Sequence, residues 1–171
     1  MGGQSRKETL MARKIVARTG FTAANDATDL NQVGTVMDDA STGKAYRYIQ
    51  VEDMDLAAND VVTYSDATGK EVTKDRAGGS SLGNTFAGVA VSTLTDEYYG
   101  WVQIEGLATC KVHTGGSIAA GARVQADPTN DGCVVAYTAT TSSTDLSFGM
   151  ALAADTATTS AAGTVAVMID L

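Results

Sequence analysis

The sequence predicts an all-β protein, and three observations predict it. Thr, Ser, Val, Ala and Gly dominate, with 18 Gly and a single Pro, a composition of short strands and tight turns. Apolar residues do not recur at helical spacing. Stretches such as Trp101 to Glu105 instead alternate apolar and polar side chains, the period that sets one face of a strand on a core and the other in water. Finally, the elements of residues 45–106 recur in the same order in residues 107–171. A small sheet unit used twice points to a tandem-repeat β-barrel or sandwich of short antiparallel strands, with an extended N-terminal arm.

Residues 1–44 are expected to form that arm, basic and extended, with a long loop. Asn25-Asp26, Asp29, Asn31, Asp38-Asp39 and Ser41-Thr42-Gly43 are turn chemistry rather than strand chemistry. A short helix over residues 6–18 is a weaker alternative. The first repeat, 45–106, opens with a strand from Ala45 to Val51. Val61 to Tyr64 follows, then the turn Ser65-Asp-Ala-Thr-Gly69, Glu71 to Thr73, a Gly- and Ser-rich loop from Arg76 to Asn84, and Thr85 to Val91. Trp101 to Glu105 closes the unit. Gly106 then interrupts the alternation, which Leu107 to Val112 resumes, so a strand, a kink and a second strand are expected there.

The second repeat, 107–171, runs through the same list. Ser117 to Ala122 matches Asp55 to Asp60, with Leu56 against Ile118. Arg123 to Ala126 answers Val61 to Tyr64, Asp127 to Gly132 is the turn, and Cys133 to Ala136 returns. Phe148 to Leu152 matches Phe86 to Ala90, and Thr164 to Ile169 matches Trp101 to Glu105. Each half is too short to bury its own apolar face, so the two are expected to pack as one globular body with a continuous core. Val62, Val124, Phe86, Phe148, Val89, Ile104 and Val167 should point inward.

Charge divides the chain. Arg6, Lys7, Arg13, Lys14 and Arg18 supply five of the 12 Lys and Arg and meet only Glu8 in that segment. The first 18 residues therefore carry +4, and since the whole chain is −8, the rest carries −12. An acidic body argues against nucleic-acid binding, which needs a basic face to displace counterions. The basic segment suits an acidic protein surface. No run of 18 apolar residues suggests a membrane span and no secretory leader is legible. Two cysteines, Cys110 and Cys133, make no disulfide framework and point to synthesis in a reducing cytoplasm.

Candidate chemical groups are few. His113, three residues after Cys110, lacks convergent partners for a metal, since positions i and i+3 on a strand face opposite ways. Glu52, Asp53, Asp55 and Asp60 form one carboxylate cluster, and Asp127, Asn130 and Asp131 another. Neither has the ordered ligands of a calcium loop, so both read as turn residues. No nucleophile elbow, phosphate loop or dinucleotide fingerprint is present. No catalytic residue, cofactor or metal is expected, and an enzyme is not. Trp101 with Tyr98 and Tyr99 reads as interface aromatics, or alternatively as a sugar-stacking patch.

At its repeated elements the chain resembles the phage head decoration, or capsid cement, proteins. The matching stretches are Asp55-Leu-Ala-Ala-Asn-Asp-Val-Val62, Phe86-Ala-Gly-Val-Ala90, Trp101-Val-Gln-Ile-Glu-Gly-Leu-Ala108, Ile118-Ala-Ala-Gly-Ala-Arg-Val124 and Phe148-Gly-Met-Ala-Leu152. They cover roughly residues 45 to 171, and the long basic N-terminal segment departs from the pattern. The resemblance implies a structural virion protein on the capsid exterior, often a homotrimer. It would bind the major capsid protein and stabilise the shell by bridging neighbouring capsomers, with neither nucleic acid nor membrane as partner. Arg6, Lys7, Arg13, Lys14 and Arg18 would then contact the capsid. The alternative is a carbohydrate-binding or adhesion module of a phage tail or surface structure.

Overall fold

The computed structural model describes residues 20–75, 85–138 and 147–170, together with the backbone of Lys14–Ile15. Twelve strands form among the described residues: β1 (Lys14–Ile15), β2 (Asn25–Asp26), β3 (Val36–Asp39), β4 (Lys44–Val51), β5 (Val61–Tyr64) and β6 (Glu71–Thr73). They continue as β7 (Phe86–Ala90), β8 (Tyr99–Val112), β9 (Arg123–Ala126), β10 (Val134–Ala136), β11 (Gly149–Ala151) and β12 (Gly163–Ile169). A 3-10 turn at Phe21–Ala23 is the one helical element there. At Lys14–Ile15 the backbone is extended and pairs in parallel with β3, so the short helix considered for residues 6–18 does not run through these two positions.

The strands make one mixed sheet whose pairings curl back on themselves. In the first ring β4 pairs β6, β6 pairs β5, β5 pairs β7, β7 pairs β8, and β8 returns to β4. The second ring repeats that order: β10 pairs β9, β9 pairs β11, β11 pairs β12, and β12 pairs β8. A single parallel bridge, Lys111 to Cys133, closes it. That bridge stands where the parallel pair Gln50 and Glu71 stands in the first ring. The barrel or sandwich expectation is thus realised as an all-β sheet of two curled halves.

Strand β8 belongs to both rings. Its residues up to Glu105 pair with β4, and its residues from Gly106 onward pair with β12. The expected kink is not a break: β8 runs unbroken through Gly106, which takes φ 86° and only there changes partner. A Cβ at Gly106 would lie 2.5 Å from the carbonyl oxygen of Gly43, so glycine is required for space as well as for dihedral angle.

Three apolar clusters fill the molecule, not one continuous core. Ile49, Val51, Leu56, Val62, Val72, Ala87, Ala90, Leu94 and Val102 fill the first ring, with Ile104 half-buried against them. The second cluster is built on Cys110, Val112, Ile118, Val124, Val134, Val165 and Val167, and it also takes in Val61, Phe86 and Val89 of the first ring. Phe86 and Phe148, matched in sequence, stack on each other there with ring centroids 3.8 Å apart and planes within 8°. Both faces of β5 and β7 are therefore buried, which is why neither strand alternates in exposure.

The third cluster lies outside the first ring. Met37, Tyr46, Tyr48 and Trp101 form it, packed against Phe21, Ala24 and Val33. Residues 20–39, expected as loose arm, are thus a roof over β4 and the first half of β8. Pairing of β3 with β4 and of β2 with β8 holds that roof down. Asn25 adds a side-chain clamp: its Nδ2 donates to Thr95 Oγ1 and its Oδ1 accepts from Thr95 N, both at 3.0 Å. The turn chemistry read in this stretch was real, but turns tied to a sheet edge do not leave the body.

At the joint between the rings sits Asp60, whose side chain is fully buried. Its carboxylate accepts from Ala57 N at 2.9 Å, from Lys74 Nζ at 3.2 Å and from Lys111 Nζ at 3.3 Å. Lys74 follows β6 of the first ring, whereas Lys111 lies in the second-ring half of β8. Backbone bonds surround the carboxylate: Val61 N donates to Gly132 O, Gly132 N to Lys74 O and Lys111 N to Asn59 O. Gly132 packs so close that a Cβ would meet Asp60 Cγ at 2.8 Å. The matching position in the second ring is Ala122, where no further ring is joined. Because the anion links groups from both rings, Asp60→Ala is expected to cost about 3 kcal/mol. Urea unfolding measures it, and a loss below about 1 kcal/mol would mean the lysines hold nothing together.

Candidate functional site

Of the five basic residues proposed for capsid contact, Arg6, Lys7, Arg13 and Arg18 lie outside the described residues. Lys14 is placed by its backbone alone, at the edge of β3 beside Met37. The first ring therefore carries the starting strand of the basic segment along its β3 edge.

The interface aromatics differ in burial. Tyr98 and Tyr99 are half-buried near the start of β8. Tyr99 packs against the third cluster, stacked on Tyr48 with ring centroids 6.3 Å apart, and Trp101, 1% exposed, lies inside that cluster. Its ring lies 5.1 Å from Tyr48 and meets the edge of Phe21 at 5.4 Å. Tyr48 is held in place by its hydroxyl, which donates to Asp26 Oδ2 at 2.8 Å. Burial, with that bond to the carboxylate, pushes the Tyr48 phenol up to about 12. Trp101 is thus a core residue of the roofed face and not a surface aromatic, and the sugar-stacking patch loses its central ring. The alternation from Trp101 to Glu105 concealed this, because Trp101, Val102 and Gln103 are all buried, covered on both sides of the strand.

The carboxylates read as turn residues are so placed, with one exception. Asp127 Oδ1 accepts from Thr129 N and Asn130 N, and its Oδ2 accepts from Asn130 Nδ2. Asp66 closes the matching turn in the first ring. Burial works against its charge, but bonds from Thr68 and from the backbone of Glu71 and Lys70 outweigh that and hold its pKa at about 2. The exception is Asp60, grouped by sequence with Glu52, Asp53 and Asp55, which is the buried joint.

At the end of the first ring the remaining acids repel one another. Burial raises the Asp53 carboxyl, as do Glu52, Asp75 and Asp96. Burial also raises Glu71, helped by Glu52, Asp66 and Glu97. Asp53 and Glu97 hold positive φ angles of 74° and 66° in the loops that crowd these charges. These carboxylates make that end of the first ring acidic.

His113 Nδ1 lies 2.9 Å from Asp127 Oδ2. Cys110 is sealed in the second cluster, where burial lifts its thiol to about 12, and burial raises Cys133 as well. Both cysteines are free. Among the described residues no group of three or more His, Cys, Asp and Glu side chains converges to hold a metal ion. No helix among them is long and apolar enough to cross a membrane. One depression of about 240 Å³ opens where the roof meets the two rings, lined by Thr22, Lys44, Tyr46, Asn59, Gln103 and Thr109 among others. A smaller one of about 160 Å³ lies along Asp38, Asp39, Lys44 and Glu105. Both fall below the roughly 300 Å³ at which small-molecule sites begin.

No family model matches the chain. No curated protein matches it either. Among solved structures, the crystal structure of the N base of head fiber gp8.5 in bacteriophage phi29 is similar over 74% of this chain and 94% of that one. The identity is 18% and the TM-score 0.48, a likeness that assigns neither family nor function.

Truncating the buried indole separates core from surface. Trp101→Ala is expected to lower stability by about 3 to 5 kcal/mol, since it empties the space under the roof on β8, beside Tyr48. Chemical unfolding reads this. A variant as stable as the parent would return Trp101 to the surface.

Proposed function

We propose that this chain is a structural protein of a phage virion, which binds the capsid exterior and stabilises the shell by bridging neighbouring capsomers. The observation that carries the reading is the charge division between a folded acidic body and a basic leading segment. The body is two curled halves locked by a shared strand and a buried ion cluster, so it transmits load between two attachment points without bending at a hinge. The leading segment reaches the body at the β3 edge, where Lys14 and Ile15 pair as a strand, and offers four further cations to an acidic surface. The sequence resemblance to decoration proteins supports the same role through the strand and turn stretches between Asp55 and Leu152.

Such a part needs no tight single contact. Weak contacts repeated over a lattice add through effective concentration, so a modest affinity at each site gives a large gain for the shell. In this scheme the major capsid protein is the partner, and the basic segment supplies long-range attraction that salt would screen over about 10 Å.

Deleting residues 1–18 is expected to weaken binding to expanded heads of the cognate phage about tenfold or more at low salt, with a smaller effect at high salt. Co-sedimentation with heads measures it. Binding unchanged by the deletion would remove the basic segment from the mechanism. A chain that never purifies with heads in fixed ratio to the capsid subunit would remove the function itself.

A further inference from the structure

The second ring leaves bare a face that the first ring buries. Leu107, Met168 and Met150 lie side by side across β8, β12 and β11, because Leu107 pairs with Met168 and Met168 with Met150. Their non-glycine neighbours Ala108, Val167, Ile169 and Ala151 are buried, and all three project outward, 45%, 40% and 46% exposed. Leu152, just past β11 and bonded through its N–H to Ala166 O, widens the stripe and is 47% exposed. The other exposed large apolar side chains among the described residues, Leu30 and Met54, belong to loops elsewhere.

The equivalent surface of the first ring shows what such a face requires. Lys111 stands to Cys133 as Gln50 stands to Glu71, which puts Leu107 in the place of Tyr46. Tyr46 is buried, with the Phe21 ring against it at 5.2 Å. Met150 pairs with Arg123 as Val89 pairs with Val61, and Val61 and Val89 are buried against the second ring. One ring therefore has its outer face covered twice, by the roof and by its sister ring. The other presents Leu107 and Met150 at the places of Tyr46 and Val89 to solvent, where scattered single residues would need no account but a contiguous stripe does.

We propose that this stripe is where two copies of the chain pair face to face about a twofold axis. The charges at its ends argue for a second copy. Arg123 continues the row beyond Met150, exposed and in register with it. Asp170, two residues past Met168 and also exposed, marks the opposite corner, next to Glu105 of β8. A copy turned end for end lays Met150 over Met168 and carries its Arg123 toward that acidic corner, while its own acidic corner meets the first Arg123. The surface is thus complementary to itself, the condition for an isologous contact. A threefold ring would instead need a second, different surface to receive the stripe. The pairing is independent of the proposed capsid role and is carried by this face alone.

Four apolar side chains and two ion pairs are less than a standard interface of about 1,600 Å², so the pair should form and dissociate with concentration. Sedimentation velocity of the full chain is expected to move from 17.5 kDa toward twice that mass across the micromolar range. Met168→Lys should weaken pairing about a hundredfold by burying an unpaired charge, with an unchanged melting temperature showing that the fold is intact. Arg123→Glu and Asp170→Arg should each weaken pairing about tenfold, and together recover most of it. A monomer at every concentration, a trimer, a pair indifferent to Met168→Lys, or charge reversals that do not rescue each other would each overturn the proposal.

Discussion

One strand constrains everything else in this protein. Strand β8 gives its first half to one ring and its second half to the other, and it changes partner at Gly106 without leaving the extended conformation. The rings are held against each other on either side of that strand by the Phe86–Phe148 stack and by the Asp60 carboxylate between Lys74 and Lys111. Gly106 is the residue that permits the change of partner. Its positive φ lets the strand turn its pleat where the partner changes, and its missing side chain lets the Gly43 carbonyl approach.

Around the shared strand, the first ring is the more heavily supported half. It has an apolar filling, an outer face packed on its sister ring, another outer face under the N-terminal roof, and the Asp60 cluster at its corner. A carboxylate with no exposure is costly unless its oxygens are occupied. Here three donors occupy them, and two belong to lysines on opposite sides of the joint. Long lysine stems reach the anion while remaining partly in solvent, 16% and 40% exposed, which limits the desolvation of the cations. The second ring has its own filling but less on its outside. This asymmetry between halves of the same strand order separates a closed side of the molecule from an open one.

Much of the fold was legible in the residues. Leu56 and Ile118, Val62 and Val124, and Phe86 and Phe148 were matched by spacing, and each is buried in the structure. The turns at Asp66 and Asp127 were recognisable because Asp accepts from the backbone two or three residues on. Trp101 was misjudged for a physical reason. Alternation reports a strand with one wet face, and β8 has none where the roof crosses it, so Gln103 is buried as deeply as its apolar neighbours. Nor did sequence single out Asp60 among four nearby acids. Local pattern carries no information on a lysine 51 residues away.

Composition and alternation sufficed for the β class, for the doubled order of elements and for the charge division, since all three are properties of neighbours along the chain. The rest required residues remote in sequence to meet. Strand register chose which partner β8 takes on either side of Gly106, and the path of residues 20–39 chose which aromatic face stays dry. The same register lined up Leu107, Met168 and Met150, three residues scattered through the second half, into one exposed row. A strand's pattern states that one of its faces is apolar, but whether that face is filled, roofed or left open depends on what the chain brings over it.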